Sequence, residues 1–128
     1  MEPNTHLHIN RRLCGEPVEL GPGLAITRFV TTAEMAVDER GLVHGGFVFG
    51  LVDHAAMLAV NDPLVVLGAA ELRFTAPVQV GDEVTARAER LEQAGRRHAV
   101  QVEARVGERV VLTGRLTAFV LDQHVLGP

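Results

Sequence analysis

Gly41-Leu42-Val43-His44-Gly45-Gly46-Phe47-Val48-Phe49-Gly50-Leu51-Val52-Asp53 leads into the one long helix that the sequence supports. From Gly45 to Val60 there is no proline and the residues are apolar nearly all round, until Asn61-Asp62-Pro63 stops the run. The segment predicts a helix about 24 Å long, at about 1.5 Å per residue. A helix that is hydrophobic on every side is a buried one. Two features break the pattern: a glycine pair at its start and one carboxylate, Asp53, far along it.

Around this helix the chain reads as strands. Leu24 to Val37 carries β-branched Ile26, Thr27, Val30, Thr31 and Thr32 and predicts one long strand with room for a bulge. Residues 1–17 are weakly patterned, and Leu20-Gly21-Pro22-Gly23 is a turn cluster. After Pro63 come strand signals at Val65–Thr75, Val84–Leu91, His98–Val106 and Val110–Leu121, with turns at Gly81-Asp82, Ala94-Gly95 and Gly107-Glu108. The order predicts an α+β domain over residues 1–128: a strand, a central helix, then four strands in an antiparallel meander. One sheet covers only one side of a buried helix, so a second copy of the chain is the economical cover for the rest.

Composition narrows the chemistry. The 128 residues suit a single domain. The chain has no serine, lysine, tyrosine or tryptophan, which excludes a serine nucleophile, Schiff-base chemistry and a P-loop lysine. All twelve basic residues are arginines, scattered in a chain of net charge −4, so no nucleic-acid footprint is visible. No apolar run is long enough to span a membrane. Met1-Glu2-Pro3-Asn4-Thr5-His6 lacks the order of a secretory signal, and Cys14 is the single cysteine; both are compatible with a cytoplasmic location. Cys14 reads as a small buried hydrophobe.

The first amides of a helix have no partner within it and lie at its positive end. Glycines at Gly45 and Gly46 let a ligand carbonyl approach them, as an oxyanion site requires. A carboxylate among Phe49, Gly50, Ala56, Met57 and Val60 is costly unless it is used or paired. Asp53 is therefore either a base raised by desolvation or the partner of a sheet arginine. Gly46 and Asp53 are separated by about 10 Å along the helix. A single carbonyl needs both within about 3 Å. Two antiparallel copies meet that demand, with the amides of one facing Asp53 of the other. His44, Asp53 and His54 do not form a metal site, because the first two lie half a turn apart and no paired ligand motif exists.

His44-Gly45-Gly46, four residues, then Leu51-Val52-Asp53 resembles the signature of hotdog-fold acyl-CoA thioesterases, closest to the phenylacetyl-CoA thioesterase-like branch. Leu72-Arg73-Phe74-Thr75-Ala76-Pro77-Val78-Gln79-Val80-Gly81-Asp82 is similar to that family's downstream block, and Gly114-Arg115-Leu116-Thr117 fits its last strand. The resemblance covers roughly residues 20 to 121. It implies an antiparallel sheet wrapped around one helix, a homodimer that pairs further into a tetramer in many members, and hydrolysis of an acyl-CoA to an acid and free coenzyme A. No resident cofactor is implied, since coenzyme A is part of the substrate. Asp53 would activate water or attack the thioester itself, the Gly45 and Gly46 amides would hold the oxyanion, and His44 would shape the loop or polarise the carbonyl. Relatives of the human type carry an asparagine six residues before this histidine; here Asp38 stands there, either orienting water or serving only as a turn residue.

Other assignments remain two-sided. Phe49 and Met57 would wall an acyl pocket or belong to the core. Asn61 would cap the helix or line that pocket. Arg96 and Arg97 would grip the coenzyme A phosphates or form a solvated turn. Two rival functions share the fold: an acyl-CoA hydratase or dehydratase, and a non-catalytic acyl-CoA-binding module.

Overall fold

The computed structural model describes all residues, Met1–Pro128. In chain order the elements are α1 (Arg11–Cys14), β1 (Glu16–Gly21), β2 (Leu24–Val30), a 3-10 turn (Ala33–Met35), α2 (Gly45–Val60), β3 (Val65–Phe74), β4 (Glu83–Ala94), β5 (Arg97–Val106) and β6 (Arg109–Val120). The six strands form one antiparallel sheet, ordered β1-β2-β4-β5-β6-β3, that packs against α2. The α+β architecture is the one that the sequence implies. No helix is long and apolar enough to cross a membrane.

The long helix follows its sequence reading closely. His44 precedes it with extended backbone, and Asn61 closes it in the left-handed region at φ 55°. Leu51, Val52, Ala55, Ala56, Leu58 and Ala59 are buried against the sheet. Each large aliphatic side chain among them contributes roughly 1.5–3 kcal/mol by leaving water. The inward residues of β4 and β5 (Val84, Ala86, Ala88, Val100, Val102, Ala104) complete the core. Their alternation is the period-two pattern of strands with one buried face.

Three expectations are corrected. The predicted strand Leu24–Val37 ends at Val30. There the Thr31 hydroxyl donates to the carbonyls of Gln79 and Asp82, the chain leaves the sheet, and Met35 turns inward to full burial. β-branched content alone does not register those cross-chain bonds. Residues 1–17, weakly patterned in sequence, contain α1 and the start of β1; the turn at Gly21-Pro22-Gly23 joins β1 to β2 as a hairpin. The four later strands are not a simple meander. Only β4, β5 and β6 are sequential neighbours, while β3 pairs with β6 at the far edge. The segment from Thr75 to Asp82 returns beneath the start of α2, tied by the Val43 amide to the Val78 carbonyl at 2.8 Å.

Gly114 lets β3 close on β6. A Cβ at that position would stand 2.2 Å from the Glu71 carbonyl oxygen and 2.9 Å from Leu72 Cα, both backbone atoms that cannot swing aside. Gly114→Ala is expected to lower stability by about 1–3 kcal/mol, the usual range for overpacking. Equilibrium unfolding in urea measures it; a change below about 0.5 kcal/mol means that β3 tolerates displacement.

Candidate active site

The start of α2 is held from three sides. The His44 amide donates to Met35 O, Val43 bridges to Val78, and Asp38 Oδ1 accepts from the amides of Arg40 and Leu42. Asp38 is exposed, and its carboxylate shapes the loop leading into the helix. It lines a cavity of about 300 Å³ with Arg40, Leu42, Pro77 and Gln79. Arg40 forms no ion pair.

The amides of Gly45 and Gly46 have no acceptor within the protomer. Gly46 is exposed, and the exposed His44 makes no capping bond. The His44 imidazole instead folds over the turn, edge-on to Phe47 at 6.0 Å between centroids. Its Nε2 would lie 2.7 Å from a Cβ built on Gly46, so glycine leaves room for the ring.

Gly46, Phe49, Gly50, Asp53, Met57 and Val60 recur at spacings of three and four and so share one helix face. Apart from Met57, which is 1% exposed, this face is not fully covered by the protomer. A Cβ on Gly50 would meet nothing within 4 Å. Asp53 sits midway along the strip. Its Oδ1 is buried without a hydrogen-bond partner, no arginine pairs with it, and burial pushes its pKa up to about 6. Of the two sequence readings, pairing with a sheet arginine is absent from the protomer.

A different part of the helix is covered by the chain's own N-terminal segment, a cover that residues 1–17 give no local sign of in the sequence. His54 is 2% exposed; its Nδ1 lies 3.3 Å from the Cys14 carbonyl, and its ring stacks on His6 at 6.1 Å. Burial lowers the pKa of both histidines. Asn61 uses both ends of its amide on this segment: Oδ1 accepts from the Asn4 amide at 2.7 Å and Nδ2 donates to the Glu2 carbonyl at 3.0 Å. It is a cap and a tether to the N-terminal segment. Cys14 is half-buried, and burial followed by the Asp53 charge raises its thiol pKa, keeping it protonated.

Arg96 and Arg97 lie at the opposite end of the sheet from Gly45. Arg97 pairs in register with Phe119, whereas Gly45 borders Val111, eight strand residues (about 27 Å) away. Arg96 pairs with Asp122, and Arg97 lies 3.7 Å from Glu92. Within one protomer the structure thus assembles His44, Gly45, Gly46 and Asp38 at one end and Asp53 and Met57 further along, with Phe49 between them. A polar depression of about 450 Å³ over β3 and β6, among Glu71, Arg73 and Arg115, includes none of these residues. No group of three or more His, Cys, Asp or Glu side chains converges as a metal site would require.

Sequence reading missed Arg40 and the apolar cavity of about 200 Å³ beside Gly45. Val43, Val78 and Val111 are buried and come from three separate segments; that they leave a gap between them is a property of packing.

Similar proteins bear on this arrangement. Among curated proteins, the chain is 45% identical to the methylthioribose-1-phosphate isomerase of Aquifex aeolicus, covering 99% of this chain and 28% of that one. It is 27% identical to the transcription factor FapR of Caldanaerobacter subterraneus, covering 92% and 60% respectively. The chain therefore spans less than two thirds of each. Among solved structures, an uncharacterised protein from Pyrococcus horikoshii is 51% identical with a TM-score of 0.97, over 98% of this chain and 97% of that one. A mutant of the phenylacetic acid degradation protein PaaI from Thermus thermophilus is 29% identical with a TM-score of 0.78, over 85% and 95%. The fold is the hotdog fold. With residues 40–113, from the loop before α2 into β6, matching the family model itself, this chain belongs to the thioesterase superfamily.

Proposed function

We propose that the protein hydrolyses an acyl-CoA thioester to a carboxylic acid and free coenzyme A, at a site completed by a second copy of the chain. The observation that carries this reading is Asp53: a carboxylate with a buried, unpartnered oxygen and a pKa near 6, on a helix face that the protomer leaves open. Near neutral pH such a group is ionised and basic enough to take a proton from water. The free Gly45 and Gly46 amides of the partner's α2 supply the oxyanion donors in this reading. β3 supports the pairing. It is an edge strand with no neighbour beyond it, and Gly68, Ala69 and Ala70 stand exposed along it. Arg40, without an ionic partner, is the cation we assign to a coenzyme A phosphate. His44 holds the turn in place beside the amides.

Two routes are open to Asp53, direct attack on the thioester carbon and deprotonation of water. Both require the ionised carboxylate. The kcat/KM for thioester hydrolysis is therefore expected to fall about tenfold per pH unit below about pH 6. Release of free thiol from acyl-CoAs, followed from pH 4.5 to 8, measures this; a flat profile across pH 5 to 7 removes Asp53 from the reaction.

A second reading has one observation in its favour, the similarity to a transcription factor over most of this chain. A non-catalytic module binds acyl-CoA with the same amides and leaves Asp53 idle. Calorimetric binding of an acyl-CoA without thiol release selects that reading.

A further inference from the structure

Buried Leu112 and Leu116 turn one face of β6 toward α2, so the alternate residues Thr113 and Arg115 stand on the opposite face of the sheet. There β3 brings two more side chains alongside. Arg73 lies directly opposite Thr113 in the register, and Glu71 directly opposite Arg115. Arg73 and Arg115 therefore occupy one diagonal of a four-residue square, with Cα atoms roughly 7–8 Å apart. The four residues line the depression of about 450 Å³, and Leu72 is its only hydrophobic lining residue. Neither arginine forms an ion pair, and Glu71 forms none although it faces Arg115. On the next strand, Gln101 opposite Arg115 is neutral, and Glu103 opposite Thr113 pairs with Arg105. Two guanidiniums are thus held on adjacent strands, in one hollow, without an acid bound to either.

We propose that this depression binds a phosphorylated polyol, a sugar phosphate in the simplest case. A guanidinium is planar and holds a phosphate through two parallel N–H donors. Two of them on one diagonal hold a single phosphate group from both sides. Thr113, at one of the corners between them, adds a hydroxyl donor. Glu71, at the other, only accepts when ionised, and takes hydroxyl protons from the same ligand. A bare anion leaves Glu71 without a partner and is repelled by it, whereas a sugar phosphate supplies a partner for every side chain of the square. The lining gives an acyl chain almost nothing apolar to bury against, and hollows of about 300–1,000 Å³ suit small organic ligands. Pairing of β3 with a further strand uses amides and carbonyls in the plane of the sheet and leaves this outward face open. The site is separate from Asp53 and the helix amides and does not depend on the acyl-CoA reading.

Isothermal titration calorimetry of the intact chain with ribose 5-phosphate, inorganic phosphate, ribose and coenzyme A tests the assignment. Ribose 5-phosphate is expected to bind about tenfold more tightly than inorganic phosphate or ribose alone, and Arg73→Gln and Arg115→Gln are each expected to weaken it by about tenfold. Glu71→Ala is expected to weaken ribose 5-phosphate while strengthening inorganic phosphate, because it removes both the hydroxyl acceptor and the repulsion. All three positions are exposed on the sheet surface, and urea unfolding checks that the variants fold. No saturable binding of ribose 5-phosphate, binding indifferent to the arginine variants, or inorganic phosphate bound as tightly as the sugar phosphate overturns the proposal. Displacement of ribose 5-phosphate by coenzyme A, with both weakened by the same arginine variants, would give the depression to the thioester carrier and overturn it as a separate site.

Discussion

Asp53→Asn is expected to cut kcat/KM for thioester hydrolysis by about 10²- to 10⁴-fold while making the folded chain more stable at neutral pH. The two effects have one cause. Burial raises the Asp53 pKa from 3.8 to about 6. A group whose folded pKa lies above its unfolded value stabilises the fold below the unfolded pKa and loses that contribution as pH rises through the folded one. At pH 7 the carboxylate is ionised and its desolvation opposes folding. A shift of about two units corresponds to about 3 kcal/mol for a fully shielded group. The open strip admits solvent, and about 1–2 kcal/mol is the discounted expectation. Asparagine keeps the shape and removes the charge. Urea unfolding at pH 7 and pH 4.5 resolves this: the gain is present at pH 7 and shrinks at pH 4.5. A variant that is inactive and also less stable at pH 7 has lost a structural contact, and the desolvated-base account fails with it.

Mixing two inactive variants is expected to restore about a quarter of wild-type activity. Gly46→Val places a β-branched side chain against the free amide. The three atoms nearest that Cβ all belong to the His44 ring, which is exposed and able to move, so the fold is expected to survive with the oxyanion position blocked. If each site draws its amides from one chain and Asp53 from another, an Asp53→Asn/Gly46→Val pair contains one site with both defects and one with neither. Random exchange makes about half of the dimers mixed, each with one of two sites intact. Co-refolding the two variants and following thiol release provides the measurement. Activity no greater than the sum of the separate variants would mean that amides and carboxylate act within one chain, against the separation of about 10 Å along the helix.

Legibility varied along the chain with the range of the forces involved. Gly45–Val60 and its stop at Asn61 were readable because helix periodicity, glycine and proline act within a few residues. The hairpins at Ala94-Gly95 and Gly107-Glu108 were readable for the same reason. The end of β2 was not, because Thr31 bonds to carbonyls about fifty residues away. The placement of β3 beside β6 was not, because alternation records which face is buried and carries no mark of the neighbour. The role of Asn61 was half visible: a left-handed cap is local, whereas its tether to Glu2 and Asn4 joins residues distant in sequence.

By itself, then, the sequence determined the helix, its glycine start, the lone acid along it and the chemistries that missing side chains forbid. Those are consequences of residue type and short spacing. Only the tertiary structure decided that residues 1–15 cover one flank of the helix while the Asp53 strip stays open. It alone left Arg40 unpaired near the helix start, carried Arg96 and Arg97 to the far end of the sheet, and left an apolar gap beneath Gly45. Each of these depends on where segments distant in the chain meet and on how completely their side chains fill the space between them, and neither quantity is written in local pattern.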